Sequence, residues 1–158
     1  SGLVTGTQWD MMLKYMKEIG NVDITTSSWG NYDNVSLSNL RGYYTNVTTV
    51  GATNGFKSCE NLSNTNSGTN SWVLLTTGST DQVKKMNLYD VAGNLWEWTQ
   101  ESSYVDNLDY NLNSTYNSYI LRGGRFNNAY APFPAAYRGY NYGPVTDTNQ
   151  GFRLVLYL

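Results

Sequence analysis

The sequence offers few side chains that could carry out catalysis by a familiar route. It contains no histidine and a single cysteine, Cys59. Without histidine, Ser-His-Asp catalysis, Cys-His catalysis and every His-ligated metal site are excluded. One cysteine also excludes an internal disulfide and any two-thiol mechanism. The composition therefore speaks against most enzyme classes, and we expect this protein not to be an enzyme.

Two aspartates, Asp106 and Asp109, have the spacing of a carboxylate pair, which in an active site can perform general acid–base catalysis. Their neighbours include Asn107, Asn111 and Asn113. This polar, asparagine-rich setting favours a solvated loop. We therefore assign the pair no catalytic role.

The segment 125–150 has the composition that points most clearly to a function. Aromatic side chains alternate there with asparagine and aspartate, and the segment holds all three prolines of the chain. Tyrosine offers a large, stiff contact area with a polar tip, so the mixture resembles an antibody paratope. The alternative is that these aromatic side chains pack loops against a sheet. We predict a ligand-binding surface that comprises Arg125, Asn127, Asn128, Tyr130, Phe133, Tyr137, Tyr140, Asn141, Tyr142 and Asp147.

Length and charge limit the size and the partners of the protein. A chain of 158 residues suits one compact domain, residues 1–158. Ten basic residues against twelve acidic ones give a net charge of −2, which provides no general attraction to nucleic acid or to anionic membranes. No apolar run approaches the roughly 20 residues of a membrane-spanning helix. We expect no nucleic-acid partner, no membrane insertion and no signal peptide in this chain.

One clear helix is predicted near the start of the chain. Its pattern covers residues 8–19, with Thr7 as the N-cap, Asp10 three residues later completing a box-like start, and Gly20 as the end. The spacing predicts a buried face formed by Trp9, Met12, Leu13, Met16 and Ile19. With that face assigned to the core, no apolar helix face remains, and we expect a monomeric module.

The remaining elements are predicted to be short strands joined by loops. Residues 21–80 form mainly polar, glycine- and asparagine-rich loops. Residues 88–98 form a turn and a strand, and residues 120–124 form a short strand that ends in a glycine pair. Residues 151–158 are nearly all apolar, which predicts a central terminal strand. Residues 125–150 show neither helical nor strand periodicity.

Several motifs occur in an order that carries a family resemblance. They are Gly93-Asn94-Leu95-Trp96-Glu97-Trp98, Arg122-Gly123-Gly124, Arg138 and Gly151-Phe152-Arg153. The set resembles the signature of the formylglycine-generating-enzyme (sulfatase-modifying factor) superfamily, and Thr7-Gln8-Trp9 before a helix also fits it. The resemblance implies an α+β, C-type-lectin-like fold with a small twisted antiparallel sheet, flanking helices and extensive irregular loops.

The same resemblance implies that the family's chemistry is missing. Catalytic members need a reactive cysteine pair between the arginine and the final Gly-Phe-Arg motif, and this chain has no cysteine there. The related iron-dependent sulfoxide synthases bind their metal through histidines, and this chain has none. The fold is expected without the catalysis.

A second, narrower resemblance concerns proteins that are diversified by retroelements. These proteins carry a variable region at the C-terminus of the same fold, opened by Arg-Gly-Gly and closed by Gly-Phe-Arg. There mutation falls on adenines, mostly in Asn codons, whose products never include Lys, Glu, Gln, Met or Trp, and residues 125–149 contain none of these five types. Residues 102–124 also lack them, so this observation is compatible with diversification without being diagnostic. The resemblance implies a candidate variable region at 125–150.

A structural calcium site is one implication of the family resemblance. Asp90, Gly93, Leu95 and Glu97 match positions that bind this ion in the formylglycine-generating enzymes, and oxygen ligands suit calcium. The alternative is that Glu97 satisfies buried N–H groups or an arginine. We expect no required cofactor, and we expect Arg122 and Arg153 to be structural, bonded to carbonyls or to Glu97.

Three functions remain compatible with the sequence. The favoured one is a non-catalytic protein that displays a retroelement-diversified surface to a protein or cell-surface ligand, on a phage virion or a bacterial cell surface. The second is a fixed adhesin or phage-tail module of the same fold. The third is an enzyme of the formylglycine-generating type with altered chemistry.

Overall fold

The computed structural model describes residues 1–46, 55–65, 72–104, 117–142 and 147–155; for residues 102–104, 117–118 and 140–142 it describes the backbone alone. Among these residues there is one α-helix, α1 (Gly6–Glu18). The strands are β1 (Gly2–Leu3), β2 (Tyr43–Thr45), β3 (Lys57–Ser58), β4 (Leu74–Leu75), β5 (Lys84–Lys85), β6 (Leu88–Tyr89), β7 (Trp96–Tyr104), β8 (Asn117–Arg122), β9 (Arg138–Tyr142), β10 (Gln150–Phe152) and β11 (Leu154–Val155). Short 3-10 helices cover Cys59–Asn61 and Asp81–Val83.

Helix α1 begins earlier than its hydrophobic pattern predicts. Thr5, and not Thr7, is the N-cap: its hydroxyl accepts a hydrogen bond from the Gln8 backbone N–H at 3.1 Å. The Gln8 side-chain oxygen in turn accepts a hydrogen bond from the Thr5 backbone N–H at 2.9 Å, which completes a capping box. Asp10, predicted to complete the box from Thr7, instead forms an ion pair with Arg122. The two hydrogen bonds between Thr5 and Gln8 satisfy two backbone N–H donors, and this determines where helix α1 begins.

The buried face of α1 is narrower than predicted. Trp9, Leu13 and Met16 are buried, whereas Ile19 is 68% exposed. Two further apolar side chains point outward, Met11 at 66% and Tyr15 at 54% exposed. The spacing of four residues places them along one side of the helix with Ile19. We call Met11, Tyr15 and Ile19 the outer stripe; it contradicts the expectation that no apolar helix face is left over.

The largest sheet has four strands in the order β10-β7-β8-β9. β8 pairs antiparallel with β7 and β9, but β10 pairs parallel with β7, so the sheet is mixed and not purely antiparallel as the resemblance implied. The register aligns Gly151 with Glu97, Glu97 with Arg122 and Arg122 with Arg138. Because side chains alternate across a strand, this row of residues lies on one face of the sheet and its neighbours lie on the other.

Residues 151–155 do not form a central strand, contrary to the apolar pattern of 151–158, whose last three residues lie outside the described part of the chain. β10 lies at the edge of the four-stranded sheet, and β11 pairs with β1 instead. Phe152 is 64% exposed and Leu154 is 61% exposed. Arg153, between them, points inward to an ion pair with Glu97, so alternation directs its two apolar neighbours outward.

Two hydrophobic clusters support the molecule. The first packs α1 against the loops around Val91 and Ala135, and the second surrounds the sheet β3-β2-β4. Two buried asparagines connect them. The Asn31 side chain donates to the Val73 carbonyl at 2.8 Å and to the Asn94 side chain at 3.0 Å, and Asn94 both accepts from and donates to the Leu75 backbone at 3.0 Å.

Gly93 makes this connection sterically feasible. Its φ is +70°, and a Cβ built there would lie 2.1 Å from the Asn31 carbonyl oxygen. Only glycine tolerates both conditions.

Among the described residues, no helix has the length and the apolar composition that crossing a membrane would require.

Candidate functional site

A cavity of about 500 Å³ opens on one face of the four-stranded sheet. β7, β8, β9 and β10 each contribute one residue, at neighbouring positions of the register. The segment that follows the glycine pair of β8 supplies most of the remaining wall. The lining residues are Trp96, Leu121, Arg125, Asn128, Phe133, Tyr137, Gly139, Asp147 and Gln150.

Three aromatic rings form one wall of this cavity. The centroids of Trp96 and Phe133 lie 5.7 Å apart with the rings at 88°, and those of Phe133 and Tyr137 lie 5.1 Å apart at 72°. Tyr137 also packs against Trp96, with centroids at 5.3 Å. Edge-to-face and tilted contacts of this kind are the favoured aromatic geometries. Trp96 is 9% exposed and anchors the group, while Phe133 and Tyr137 are half-buried.

The polar part of the lining is incompletely hydrogen-bonded. Within the described ranges, Arg125 Nε, Asn128 Oδ1 and Gln150 Oε1 are buried without a hydrogen-bond partner. Asp147 Oδ1, in contrast, accepts from the Asn149 backbone N–H at 2.9 Å and from its side chain at 2.7 Å. Buried polar groups without partners are uncommon in folded proteins and are costly. They are groups that a bound molecule could satisfy.

The wall-forming segment is held by glycines and by the first part of the chain. Gly123 and Gly124 have φ of +89° and +76°, and a Cβ at Gly124 would lie 2.4 Å from the Phe133 carbonyl oxygen. The Tyr32 hydroxyl lies 2.9 Å from the carbonyl oxygens of both Gly123 and Phe133. Trp9 Nε1 donates to the Ala135 carbonyl at 3.2 Å.

Further backbone bonds fix the same segment. The Ala135 N–H donates to the Ser27 hydroxyl at 2.9 Å, and the Ala136 N–H donates to the Ile24 carbonyl at 3.1 Å. Near the other end, the Asp33 N–H donates to the Asn128 carbonyl at 3.0 Å. The segment is irregular, but its path is determined by hydrogen bonds to buried, distant parts of the chain.

The structure brings together half of the residues predicted for the binding surface. Five of them line the cavity: Arg125, Asn128, Phe133, Tyr137 and Asp147. Asn127 and Tyr130 do not line it. Tyr130 packs against Tyr32, with centroids 6.4 Å apart, and borders the first hydrophobic cluster.

The other predicted residues lie on a strand that the sequence pattern did not indicate. The backbones of Tyr140, Asn141 and Tyr142 belong to β9, within a segment predicted to lack strand structure. Their side chains lie outside the described part of the structure. β9 forms because residues 138–142 complete the ladder of β8, which outweighs the weak strand propensity of glycine and asparagine.

Four further lining residues were not predicted. Leu121, Gly139 and Gln150 carry no signal of their own, and they enter the cavity through the sheet register. Trp96 had a signal, since it lies in the Gly-Asn-Leu-Trp-Glu-Trp motif. Gly139 leaves room for the aromatic wall: a Cβ there would lie 3.0 Å from the Tyr137 ring.

A smaller cavity of about 140 Å³ occupies the position of the implied calcium site. Arg153 fills the role of the cation there: its Nε donates to one Glu97 carboxylate oxygen at 2.9 Å and its terminal nitrogen donates to the other at 2.6 Å. Both oxygens of Glu97 are therefore engaged. Among the described residues, no three acidic or cysteine side chains are grouped to hold a metal ion. Asp90 and Glu97 therefore do not fit a calcium site. Glu97 binds an arginine, which is the alternative that the sequence left open.

Burial perturbs both carboxyl groups of this smaller cavity. Desolvation raises the pKa of Asp90 to about 6, and the positive charge of Arg153 opposes part of the increase. Desolvation likewise raises the pKa of Glu97, again opposed by Arg153. Asp90 Oδ2 is buried and has no hydrogen-bond partner in the described part of the chain.

The other two sheet arginines hold a second carboxylate. Arg122 is buried and pairs with Glu101 and Asp10, each at 3.1 Å. Arg138 pairs with the other oxygen of Glu101 at 2.6 Å. Arg122 is thus structural, as predicted, although its partners are Glu101 and Asp10 and not Glu97.

The single cysteine lies away from the larger cavity. Cys59 is buried in the second hydrophobic cluster, where desolvation raises the pKa of its thiol. A raised pKa lowers the thiolate fraction and hence the reactivity. Asp106 and Asp109 lie outside the described residues.

Comparison with known proteins gives one result. The family model for the sulfatase-modifying factor enzyme 1-like domain matches residues 41–158. The match includes β2 to β11 and the lining of both cavities but not α1. No curated protein and no solved structure matches the chain. With most of its length matched, and with the mainly stranded, one-helix architecture of its described residues, the chain belongs to the sulfatase-modifying factor enzyme 1-like family of the C-type-lectin-like superfamily.

Proposed function

We propose that this protein is a non-catalytic binding protein whose ligand occupies the 500 Å³ cavity, and that the cavity wall belongs to a retroelement-diversified region. The observation that carries the proposal is the cavity lining. It combines an aromatic wall with buried polar atoms of Arg125, Asn128 and Gln150 that have no partner among the described residues. Apolar surface with a few convergent polar groups is the usual composition of a ligand site.

The described lining of the larger cavity lacks the cysteine and histidine side chains that known family chemistry uses, and this supports binding over catalysis. The described lining contains no cysteine, and Cys59 is buried elsewhere with a raised thiol pKa. The chain has no histidine to act as a base or metal ligand. Family members that react through paired cysteines depend on groups that this sequence lacks.

The division between framework and wall supports diversification. Gly123, Gly124 and Arg153 have positive φ or ion pairs that other residues would not reproduce. In contrast, the rings of Phe133 and Tyr137 pack on each other and on Trp96, while the backbone between them is fixed by bonds to Tyr32, Trp9, Ser27 and Ile24, which lie outside the segment. Such a segment can change its side chains without losing its path, as variable binding loops do.

We propose the class of partner from the position of the cavity on the sheet. A cavity on a rigid sheet suits a protein or a cell-surface ligand, and a phage virion or a bacterial surface is the setting in which a diversified binder would meet one. A monomeric module is part of the proposal. The outer stripe of α1 is the feature that a measurement of oligomeric state in solution would test.

Binding is tested with a matched pair of double variants. Fluorescently labelled protein is incubated with bacterial cells from its source community, and bound protein is measured by flow cytometry. Phe133→Ser with Tyr137→Ser should abolish binding. The control is Tyr43→Ser with Phe56→Ser, which changes two equally aromatic side chains that are 54% and 53% exposed elsewhere. Equal binding by both double variants would refute the cavity as the site.

Diversification is tested by sequencing the 3′ end of the gene and its flanking DNA in the source population. Adenine-derived substitutions concentrated in codons 125–150, with a near-copy template nearby, would support the retroelement. A fixed region without a template would refute it and leave a dedicated adhesin or phage-tail module.

A further inference from the structure

We infer that the ligand of the larger cavity is an acidic sugar residue, bound through its carboxylate by Arg125. This inference rests on the proposed function, because it specifies the ligand of that same cavity. The chain has five arginines. Arg41, Arg122, Arg138 and Arg153 each pair with a carboxylate within the described residues, whereas no such pair forms at Arg125.

Within the described residues, the Arg125 side chain forms neither a hydrogen bond nor an ion pair. Its Nε is buried, and no hydrogen-bond partner for it occurs in the described part of the chain. A guanidinium presents a planar set of donors that matches the two oxygens of a carboxylate. Asp147 lines the same cavity, yet it does not form an ion pair with Arg125. An anionic group on the ligand would supply the missing acceptor and the missing charge.

The other polar groups of the cavity require hydrogen-bond donors from the ligand. Asn128 Oδ1 and Gln150 Oε1 are buried acceptors without partners among the described residues, and the Asp147 carboxylate can accept further bonds. A ligand that satisfies the whole lining therefore combines one carboxylate with several hydroxyl or N–H donors. A sugar acid has this combination. An acidic amino-acid side chain supplies the carboxylate but no donors.

The aromatic wall and the cavity size agree with a single sugar ring. The C–H face of a pyranose is apolar and packs against aromatic rings, and Phe133, Tyr137 and Trp96 offer such a surface. A cavity of about 500 Å³ lies in the range of small-molecule sites. Because the smaller cavity does not fit calcium and Arg125 supplies the positive charge, binding should be independent of calcium.

The test is a glycan array in which each glycan ending in a uronic acid or N-acetylneuraminic acid is paired with its carboxyl-reduced form. We expect the full chain to bind at least one acidic member, roughly 10- to 100-fold more tightly than the reduced form, as loss of a charged hydrogen bond predicts. Added EDTA should leave binding unchanged.

Variants connect this binding to the cavity. Arg125→Gln should remove the preference for the acidic form, while Arg125→Lys should retain part of it because the charge remains. Arg41→Gln is the control: it removes an equal charge from an exposed pair with Asp81. Circular dichroism spectra that match the unmodified chain establish that each variant is folded.

Two outcomes would overturn the inference. One is acidic-glycan binding that survives carboxyl reduction or the Arg125→Gln substitution. The other is the absence of any acidic glycan among the ligands bound. If cells are still bound through Phe133 and Tyr137 in that case, the proposed function stands and only the sugar-acid ligand is wrong. If cell binding is also independent of these two rings, both proposals fail.

Discussion

Arg153 donates one hydrogen bond to each carboxylate oxygen of Glu97, at 2.6 and 2.9 Å. The Arg153 and Glu97 side chains are 24% and 10% exposed. Arg153 also donates to the Tyr89 carbonyl at 3.1 Å. The pair connects β7 to the junction between β10 and β11. It holds this junction in place and lies where the family resemblance implied a calcium ion.

Substitution of Arg153 should therefore destabilise the fold strongly. Arg153→Gln leaves the Glu97 carboxylate buried and unpaired, and we expect the free energy of unfolding to fall by about 3 kcal/mol. Urea denaturation followed by tryptophan fluorescence measures this. Arg41→Gln, which breaks the exposed pair with Asp81, should change stability very little. Equal effects of the two substitutions would contradict the structural role of Arg153.

Asp90 should make stability depend on pH in a definite direction. Its pKa in the folded protein is about 6, above that of an unfolded aspartate, so the folded state binds more protons between about pH 4 and 6. The contribution of Asp90 is full below the unfolded pKa and is lost as pH rises through the folded pKa. It amounts to at most about 3 kcal/mol.

Asp90→Asn isolates this effect because asparagine keeps the size and tolerates the positive φ of 54°. The difference in free energy of unfolding between the parent protein and the variant should shift in favour of the parent as pH falls from about 7 to 4. Urea titrations at several pH values test it. A difference that stays constant over this range would show that Asp90 has an ordinary pKa in the folded state.

Gly93→Ala should disrupt the connection between the two hydrophobic clusters. The new Cβ would overlap the Asn31 carbonyl oxygen in a backbone conformation that alanine disfavours, and we expect a loss of about 3 kcal/mol or more. Gly55→Ala is the matched control, since no atom lies within 4 Å of a Cβ at that position. Thermal unfolding of the two variants should differ by many degrees. Similar melting temperatures would mean that the turn relaxes easily.

The capping box predicts different effects at two nearby threonines. Thr5→Ala removes the N-cap hydroxyl that accepts the Gln8 N–H and should cost about 1 kcal/mol. Thr7 is exposed within the first turn, so Thr7→Ala should leave stability unchanged or slightly higher. Thermal denaturation of both variants decides between the two caps. A larger loss at Thr7 would reverse the assignment.

Polar residues of the larger cavity should favour ligand binding at some cost to the stability of the fold. Asn128→Ala removes a buried acceptor that lacks a partner among the described residues, so stability should stay equal or rise, while binding to the ligand falls. Trp96→Ala, by contrast, removes the buried anchor of the wall and should cost about 3 kcal/mol. Parallel melting and cell-binding measurements test both. A clear loss of stability in Asn128→Ala would argue that its amide is satisfied within the fold.

Sequence was a good guide where a feature depends on local pattern. The core positions Trp9, Leu13 and Met16 follow helical spacing, and β8 ends at the glycine pair, where the strand was predicted to end. It failed where two local solutions compete. Thr5 and Thr7 both precede a plausible box partner, and the structure closes the box between Thr5 and Gln8 while Asp10 pairs with Arg122 instead.

The site shows the same division. Composition identified the segment that forms the wall, because aromatic and amide side chains mark a contact surface. It did not identify Leu121, Gly139 or Gln150, since these enter the cavity through strand register, which depends on pairing partners distant in sequence. The inward turn of Arg153 likewise follows from its pair with Glu97, and this is why an apolar terminal segment does not form a central strand.

The pairing of Gly2 with Val155 has a kinetic consequence. A ladder between β1 and β11 closes a loop that includes nearly the whole chain, and closing such a loop costs entropy before any contact repays it. Parallel pairing of β10 with β7 adds another contact between distant segments. High contact order of this kind slows folding, so this domain should reach its native structure slowly, and the four-stranded sheet is complete only when β10 has joined β7.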